Sequence, residues 1–228
     1  MWKKKPNSQY NVASAESLPV KIAGYQRRKM YQEFINCTDV KKDESILDVG
    51  VTSDQTYDSS NYLEAWYPEK SSITAVGIDD ARFLEEKYKG VTFVQANGLD
   101  MPFENQSFDV VHSSAVLEHV GSFENQVKFI AECARVSKRH IFLTTPNRWF
   151  PVEFHTVLPL VHWLPKSWFR WILKNIGMEL LSKEENLNLL TNSDLQSMIK
   201  QIEDYEFKVY SVPLFGWASN LILVGRRL

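Results

Sequence analysis

An ordered series of four short segments constrains the fold of this chain more than any other feature. They are SILDVG over Ser45 to Gly50, AVGID over Ala75 to Asp79, VQANGLDMPF over Val94 to Phe103, and FDVVHSSAVLEHV over Phe108 to Val120. The first reads as a buried apolar strand ending at Asp48 and Gly50, where a chain leaving a parallel sheet turns sharply and brings bare backbone near a ligand. The second reads as another buried strand, closing on a carboxylate that can accept from both hydroxyls of a ribose.

Around these segments the pattern alternates. Strands are expected at 46–49, 73–78, 91–95, 108–112 and 140–144, with helices at about 61–67, 81–88 and 123–135 between them. Ser59 or Ser60 is a candidate cap for the first of these helices, and Gly90 closes the second. A leading helix over 20–34 would bury Ile22, Tyr25, Met30 and Phe34, and residues 1 to about 17 read as polar and loosely ordered. A helix near 193–201 and two strand-like runs, 206–212 and 220–225, close the chain. Strand and helix in alternation argue for an α/β fold built on a parallel, doubly wound sheet.

With 228 residues, 44% of them hydrophobic, the chain suits one domain over 1–228 with a modest insertion. A net charge of −2 gives no global footprint for nucleic acid, which is not expected as a partner. Cys37 and Cys133 have no metal-ligand spacing and read as buried thiols in a reducing compartment. No clustered His/Cys/Asp pattern is present, and no metal is expected. The basic start MWKKKP runs into NSQYN rather than an apolar stretch, and no run approaches the ~20 residues that span a bilayer, so a cytoplasmic protein is expected.

The order and content of the four segments resemble the class I S-adenosylmethionine-dependent methyltransferases, in particular the subgroup that includes the ubiquinone and menaquinone biosynthesis enzymes. The resemblance covers Ser45 to Pro146 well and the terminal strand pair more loosely. It implies a seven-stranded Rossmann-like sheet with S-adenosylmethionine across the carboxyl ends of the strands, and a leading segment, residues 1–40, that covers the cofactor.

Carried over position by position, the resemblance implies a cofactor site from Asp48, Gly50, Thr52, Asp79, Asp80, Asn97, Gly98 and Ser113. Asp79 would hold the ribose diol through two charge-assisted hydrogen bonds, although it or Asp80 could equally cap the helix that follows. Asn97 stands where the family commonly has an acid; its carbonyl can still accept from the adenine amine, while Asn-Gly also makes a tight turn unaided. The chief departure is the first loop: the usual Gly-x-Gly-x-Gly is Gly50, Val51, Thr52, Ser53, Asp54. Asp79 follows Gly50 by 29 residues, against about 20 in the usual ribose-acid spacing, which argues for a rebuilt, wider loop. His119, with Glu118 beside it at the rim after strand four, is a candidate general base, with orientation of the loop as the plainer alternative.

The segment 146–190 reads as an aromatic, proline-rich lid inserted after strand five. It holds four of the seven tryptophans, Trp149, Trp163, Trp168 and Trp171. Part of it must be a satellite hydrophobic cluster. As a lid it would present Arg148, Trp149, His155 and His162 to a small-molecule, glycan or lipid-linked acceptor, with His155 a second catalytic candidate. Residues 163–174 could also touch the inner face of a membrane peripherally. Two rivals to a methyltransferase stay open: a non-catalytic cofactor-fold regulator or scaffold, motivated by Thr52 and Asn97, and a nicotinamide-dependent oxidoreductase, which the missing Gly-x-Gly-x-x-Gly disfavours.

Overall fold

In the computed structural model, residues 18–55 and 59–228 are described. The polar start expected over 1–17 lies outside them. A helix α1 (Leu18–Thr38) leads into strand β1 (Ile46–Val49), a short helix α2 (Tyr62–Trp66), β2 (Ile73–Gly77), α3 (Phe83–Lys87) and β3 (Thr92–Gln95). Strand β4 (Phe108–Ser114), α4 (Phe123–Val136), β5 (Ser137–Pro146), α5 (Lys166–Asn175), α6 (Asn192–Ile199), β6 (Tyr205–Leu214) and β7 (Trp217–Arg227) follow. The strands form one seven-stranded sheet in the order β3-β2-β1-β4-β5-β7-β6. All pairs from β3 to β5 are parallel, and β7 runs antiparallel to both β5 and β6. The strand order reverses direction between β1 and β4, the crevice where doubly wound sheets bind ligands.

Period-two alternation divides the core into two layers. Ile46, Ala75, Val110, Phe142 and Ile222 pack with Met30 and Phe34 of α1, Leu63 of α2 and Leu84 of α3. Leu47, Val49, Val76, Val111, Ile141 and Leu143 face the other way, onto Phe129, Ile130 and Cys133 of α4 and Leu195 and Met198 of α6. α4 starts where Ser122 Oγ accepts from the Asn125 N–H, and α6 starts on a capping box between Thr191 and Asp194.

Several local expectations change. Tyr25 is exposed rather than buried, because α1 offers Gln26 and Met30 to the sheet; Gln26 Nε2 donates to Ser219 Oγ over 2.9 Å. Cys37 is half-buried, while Cys133 is fully buried. Neither Ser59 nor Ser60 caps α2: the N-cap position is Asn61, whose side chain is engaged elsewhere, and Ser59 Oγ accepts from Arg27. Residues 166–175 form a helix the proline-rich reading did not foresee. Pro165 precedes its first turn, where a missing N–H costs nothing.

Asp48 shares the α1–α2 face with Ile46, and there it meets His112 of β4. His112 Nδ1 lies 2.6 Å from Asp48 Oδ1, and its Nε2 is 2.8 Å from the Tyr62 hydroxyl. Glu64 of α2 is fully buried beside them, within hydrogen-bonding reach of the Asp48 carboxyl. Burial pushes the Asp48 carboxyl up to about 7 and holds His112 down to about 4. Glu64 is raised well above the carboxylate range, first by burial and then by the Asp48 charge.

A carboxyl whose folded pKa exceeds its unfolded value, about 4.3 for Glu, contributes stability at low pH that is lost as pH rises. Glu64→Gln should therefore gain stability relative to the wild type as pH increases, by up to about 1.4 kcal/mol per unit. Urea unfolding of both proteins from pH 5 to 9 checks this; parallel pH profiles would show that Glu64 ionises in the native state.

Candidate functional site

At the carboxyl ends of β1, β2 and β4 the chain encloses a cavity of about 400 Å³. Val49, Gly50, Val76, Gly98, Val116 and Phe129 make much of its wall, and Arg27 of α1, Thr52, Asn97, Ser114, His119 and His155 bring polar groups to it. The volume and the apolar lining with a few convergent polar groups suit a small-molecule site.

The glycines are there for close packing. Gly50 has φ +97°, and a Cβ on it would fall 2.2 Å from Val116 Cγ2. A Cβ on Gly98 would meet Phe129 Cε2 at 2.7 Å. Either addition would push apart two walls of the cavity. Ala115, between β4 and Val116, also takes a positive φ of 55°, held by its N–H donating to the Thr144 carbonyl over 2.9 Å.

The departure at Thr52 has a specific structural basis. Gly50 and Val51 both donate their N–H groups to the Val76 carbonyl, at 2.7 and 3.0 Å, so the loop begins by pairing with β2. Asn61 then clamps Thr52 from both sides: its Oδ1 accepts from the Thr52 N–H over 2.9 Å, and its Nδ2 donates to the Thr52 carbonyl over 3.0 Å. The Thr52 hydroxyl accepts from the Asp54 N–H. A buried amide thus replaces the compact glycine turn. Nothing in the spacing of the sequence marks Asn61 for this role.

Of the residues expected to bind a cofactor, Gly50, Thr52, Asn97 and Gly98 line the cavity. Asn97 also makes the plainer turn, its Oδ1 accepting from the Leu99 N–H over 3.0 Å. Asp79 is half-buried and stands one residue beyond Ile78, the last lining residue of that loop. Three expectations do not hold geometrically. Asp48 points to the opposite layer, onto His112. Asp80 is exposed and chelated by the Arg82 guanidinium and N–H, which hold its carboxyl down to about 2. Ser113 is buried and donates to the Val49 carbonyl over 2.6 Å, whereas its neighbour Ser114 reaches the cavity, as the alternation of a strand requires.

The segment between β5 and α5 delivers His155 to the same cavity. Glu153, itself buried, accepts from the His155 N–H, from His155 Nδ1 over 2.7 Å and from the Thr156 N–H. His155 Nε2 lies 3.0 Å from His119 Nε2, and His119 Nδ1 faces the Asn186 carbonyl at 2.6 Å. Burial alone would discharge His155, but the Glu153 charge and hydrogen bond outweigh it and raise its pKa. Burial and the neighbouring His155 charge hold His119 down to about 3. Glu153 is depressed to about 2 despite its burial, by His155 and its hydrogen bonds. Val157, at the turn of this segment, carries a φ of 59°, a costly conformation for a β-branched residue.

The other expected acceptor residues hold the insertion together. Arg148 donates to the carbonyls of His162 and Leu164, and buried His162 donates from Nε2 to the Phe150 carbonyl over 2.7 Å. Trp149 is half-exposed and packs edge-on to Trp163, which stacks on Trp217 of β7. None of Arg148, Trp149 and His162 lines the cavity.

Comparison with known proteins agrees with this architecture. Residues 47–143 match the family described as Methyltransferase domain. Over that stretch the chain resembles a methyltransferase domain. A probable S-adenosylmethionine-dependent methyltransferase of Mycobacterium tuberculosis is 34% identical over 80 residues, 33% of this chain; the chain spans 28% of that relative's length. Among solved structures, magnesium protoporphyrin IX methyltransferase from Synechocystis PCC 6803, with bound S-adenosylhomocysteine, superposes with a TM-score of 0.59 at 12% identity, covering 96% of this chain and 91% of that one. A Methanosarcina mazei protein described as a SAM-dependent methyltransferase gives 0.55 at 18% identity, covering 86% of this chain and 96% of that one. The [4+2]-cyclase SpnF gives 0.60 at 13% identity, covering 96% and 85%, so the same fold is found under a different chemistry.

Losing the Asn61 clamp would leave two backbone groups of Thr52 unpaired, at about 1–3 kcal/mol each if they stay dry. Asn61→Leu should lower unfolding stability by about 2 kcal/mol. Urea denaturation measures it, and an unchanged midpoint would mean that the loop is held by other contacts.

Proposed function

We propose that the protein binds S-adenosylmethionine in this cavity and transfers its methyl group to an oxygen, nitrogen or carbon nucleophile of a small-molecule, glycan or lipid-linked acceptor. The observation that carries the reading is the cavity at the β1/β4 crevice, walled by Gly50 and Gly98 at positions where a Cβ would collide with Val116 and Phe129. The residues suit the cofactor: the apolar wall can receive a purine face, the Asn97 amide can meet its edge, and Asp79 stands at the end of β2 for the ribose diol.

When bound, S-adenosylmethionine supplies a methyl group already activated on a sulfonium. The protein's part is then alignment and exclusion of water. Arg27 brings α1 over the cavity, in keeping with a covering segment. His119 and His155 form the wall toward the insertion, where they can orient an acceptor by hydrogen bonding. Arg148 and His162 act as positioning residues that brace the insertion bearing His155.

A peripheral membrane contact is the second part of the reading. On α5, Phe169 and Leu173 are buried while Trp168 and Trp171 are 64% and 67% exposed, with Lys174 exposed on the same helix. An exposed aromatic edge beside a lysine suits contact with a membrane interface, although Arg170 of the same helix pairs with Glu184. No described helix is long and apolar enough to cross a membrane.

Calorimetric titration with S-adenosylhomocysteine should show one site of micromolar affinity. Asp79→Ala should weaken it at least ~10-fold, equivalent to about 1.4 kcal/mol. Saturable binding without transfer to any acceptor pool would favour a regulator, and binding of NAD instead would favour an oxidoreductase. Trp168→Ser with Trp171→Ser should abolish flotation with anionic liposomes at low salt; absence of flotation by the wild type would remove the membrane contact.

A further inference from the structure

Glu118 meets His119 and His155 behind the part of the cavity wall that the two histidines form. Asn186 O can only accept, so His119 must carry its proton on Nδ1 and present Nε2 as a lone pair. His155 likewise turns Nδ1 toward the Glu153 carboxylate and points Nε2 at His119, 3.0 Å away. Two Nε2 atoms at that distance share a positive particle, which is a proton when His155 is protonated and which a metal ion bound by both nitrogens would replace. The third side chain is Glu118, fully buried; its Oε2 accepts from Thr145 Oγ1 over 2.9 Å, while its Oε1 has no hydrogen-bond partner. That oxygen faces His119 Nε2 at 3.8 Å and His155 Nε2 at 4.0 Å.

We propose that Glu118 Oε1, His119 Nε2 and His155 Nε2 form a binding site for a divalent first-row transition-metal ion. The triangle these atoms make has a centre equidistant from all three at about 2.1 Å, the usual length of metal bonds to imidazole nitrogen and carboxylate oxygen. Two imidazoles and one carboxylate suit such an ion better than magnesium or calcium, which prefer oxygen ligands throughout. Each ligand is also fixed from behind: His155 by Glu153, His119 by the Asn186 carbonyl, and Glu118 by Thr145. That support is the usual accompaniment of metal-binding histidines and carboxylates. Three protein ligands leave positions open toward the cavity, which His119 and His155 both line, so the ion can take an oxygen of the acceptor as a further ligand. This last role rests on the methyl-transfer reading; the binding of the ion does not.

The test is titration of tag-free protein, without cofactor, with Zn²⁺ by calorimetry and Co²⁺ by visible absorption. One ion per chain is expected, with ligand-field bands for Co²⁺. Glu118→Gln and His155→Asn should each weaken binding by at least about 100-fold, since loss of a supporting partner alone costs about 10–100-fold. Glu153→Gln should fall within that smaller range, and His140→Asn, on the far part of β5, should bind as the wild type does. Circular dichroism and S-adenosylhomocysteine binding report whether each variant is folded. Absence of stoichiometric binding by the wild type, or equal affinity in folded Glu118→Gln and His155→Asn, would overturn the site whether or not the cofactor binds.

Discussion

The contact between Gly50 and Val116 is the constraint on which the site depends. β1 and β4 are parallel neighbours whose following loops diverge, and they can flank one cavity only if the backbone at Gly50 comes against the Val116 side chain. A positive φ and the lack of a Cβ make that approach possible. The loop's departure at Thr52 is tolerable because the demand for glycine falls on Gly50, while the path beyond it is held by the Val51 N–H donating to the Val76 carbonyl and by Asn61.

The two faces of the sheet divide the work. On the α4 side an apolar cluster gathers around Phe129, which also closes the cavity beneath Gly98. On the α1–α2 side the layer includes Asp48, Glu64 and His112, buried polar groups that a purely apolar layer would not contain. This network ties α2 to β1 and β4, and therefore the end of the rebuilt loop to the strands it leaves. The segment between β5 and α5 brings His155 to the cavity from outside the sheet, at the expense of left-handed backbone at Val157 and Leu160.

Much of the fold was legible because parallel strands buried on both faces must be short and apolar and must alternate with helices. The runs at Ile46, Ile73, Phe108 and His140 each mark a strand of the sheet. The site was legible only where backbone geometry dictates residue type, as at Gly50 and Gly98. Asp48 and Ser113 were misassigned because a strand's alternation fixes which face a side chain takes, and a motif states only its position along the chain. Asp80 was claimed by Arg82 two residues on. Asn61, Glu153 and Glu64 act through contacts across 9, 2 and 16 residues of chain from Thr52, His155 and Asp48. Such pairings carry no periodic signature, and the meeting of His119 with His155 depends on the path of an insertion that no pattern in the sequence prescribes.

The crevice between β1 and β4 is proposed as a nucleoside-cofactor site whose first loop takes a wider path through Thr52, clamped by Asn61. A crystal structure determined with S-adenosylhomocysteine tests it most directly. The expected result is the ligand in the cavity, its adenine beside Asn97 and Gly98, its ribose at Asp79, and its amino-acid portion directed toward His119, with Asn61 still bridging Thr52. A ligand bound elsewhere, or a cavity shown filled by Thr52 and its neighbours, would contradict it.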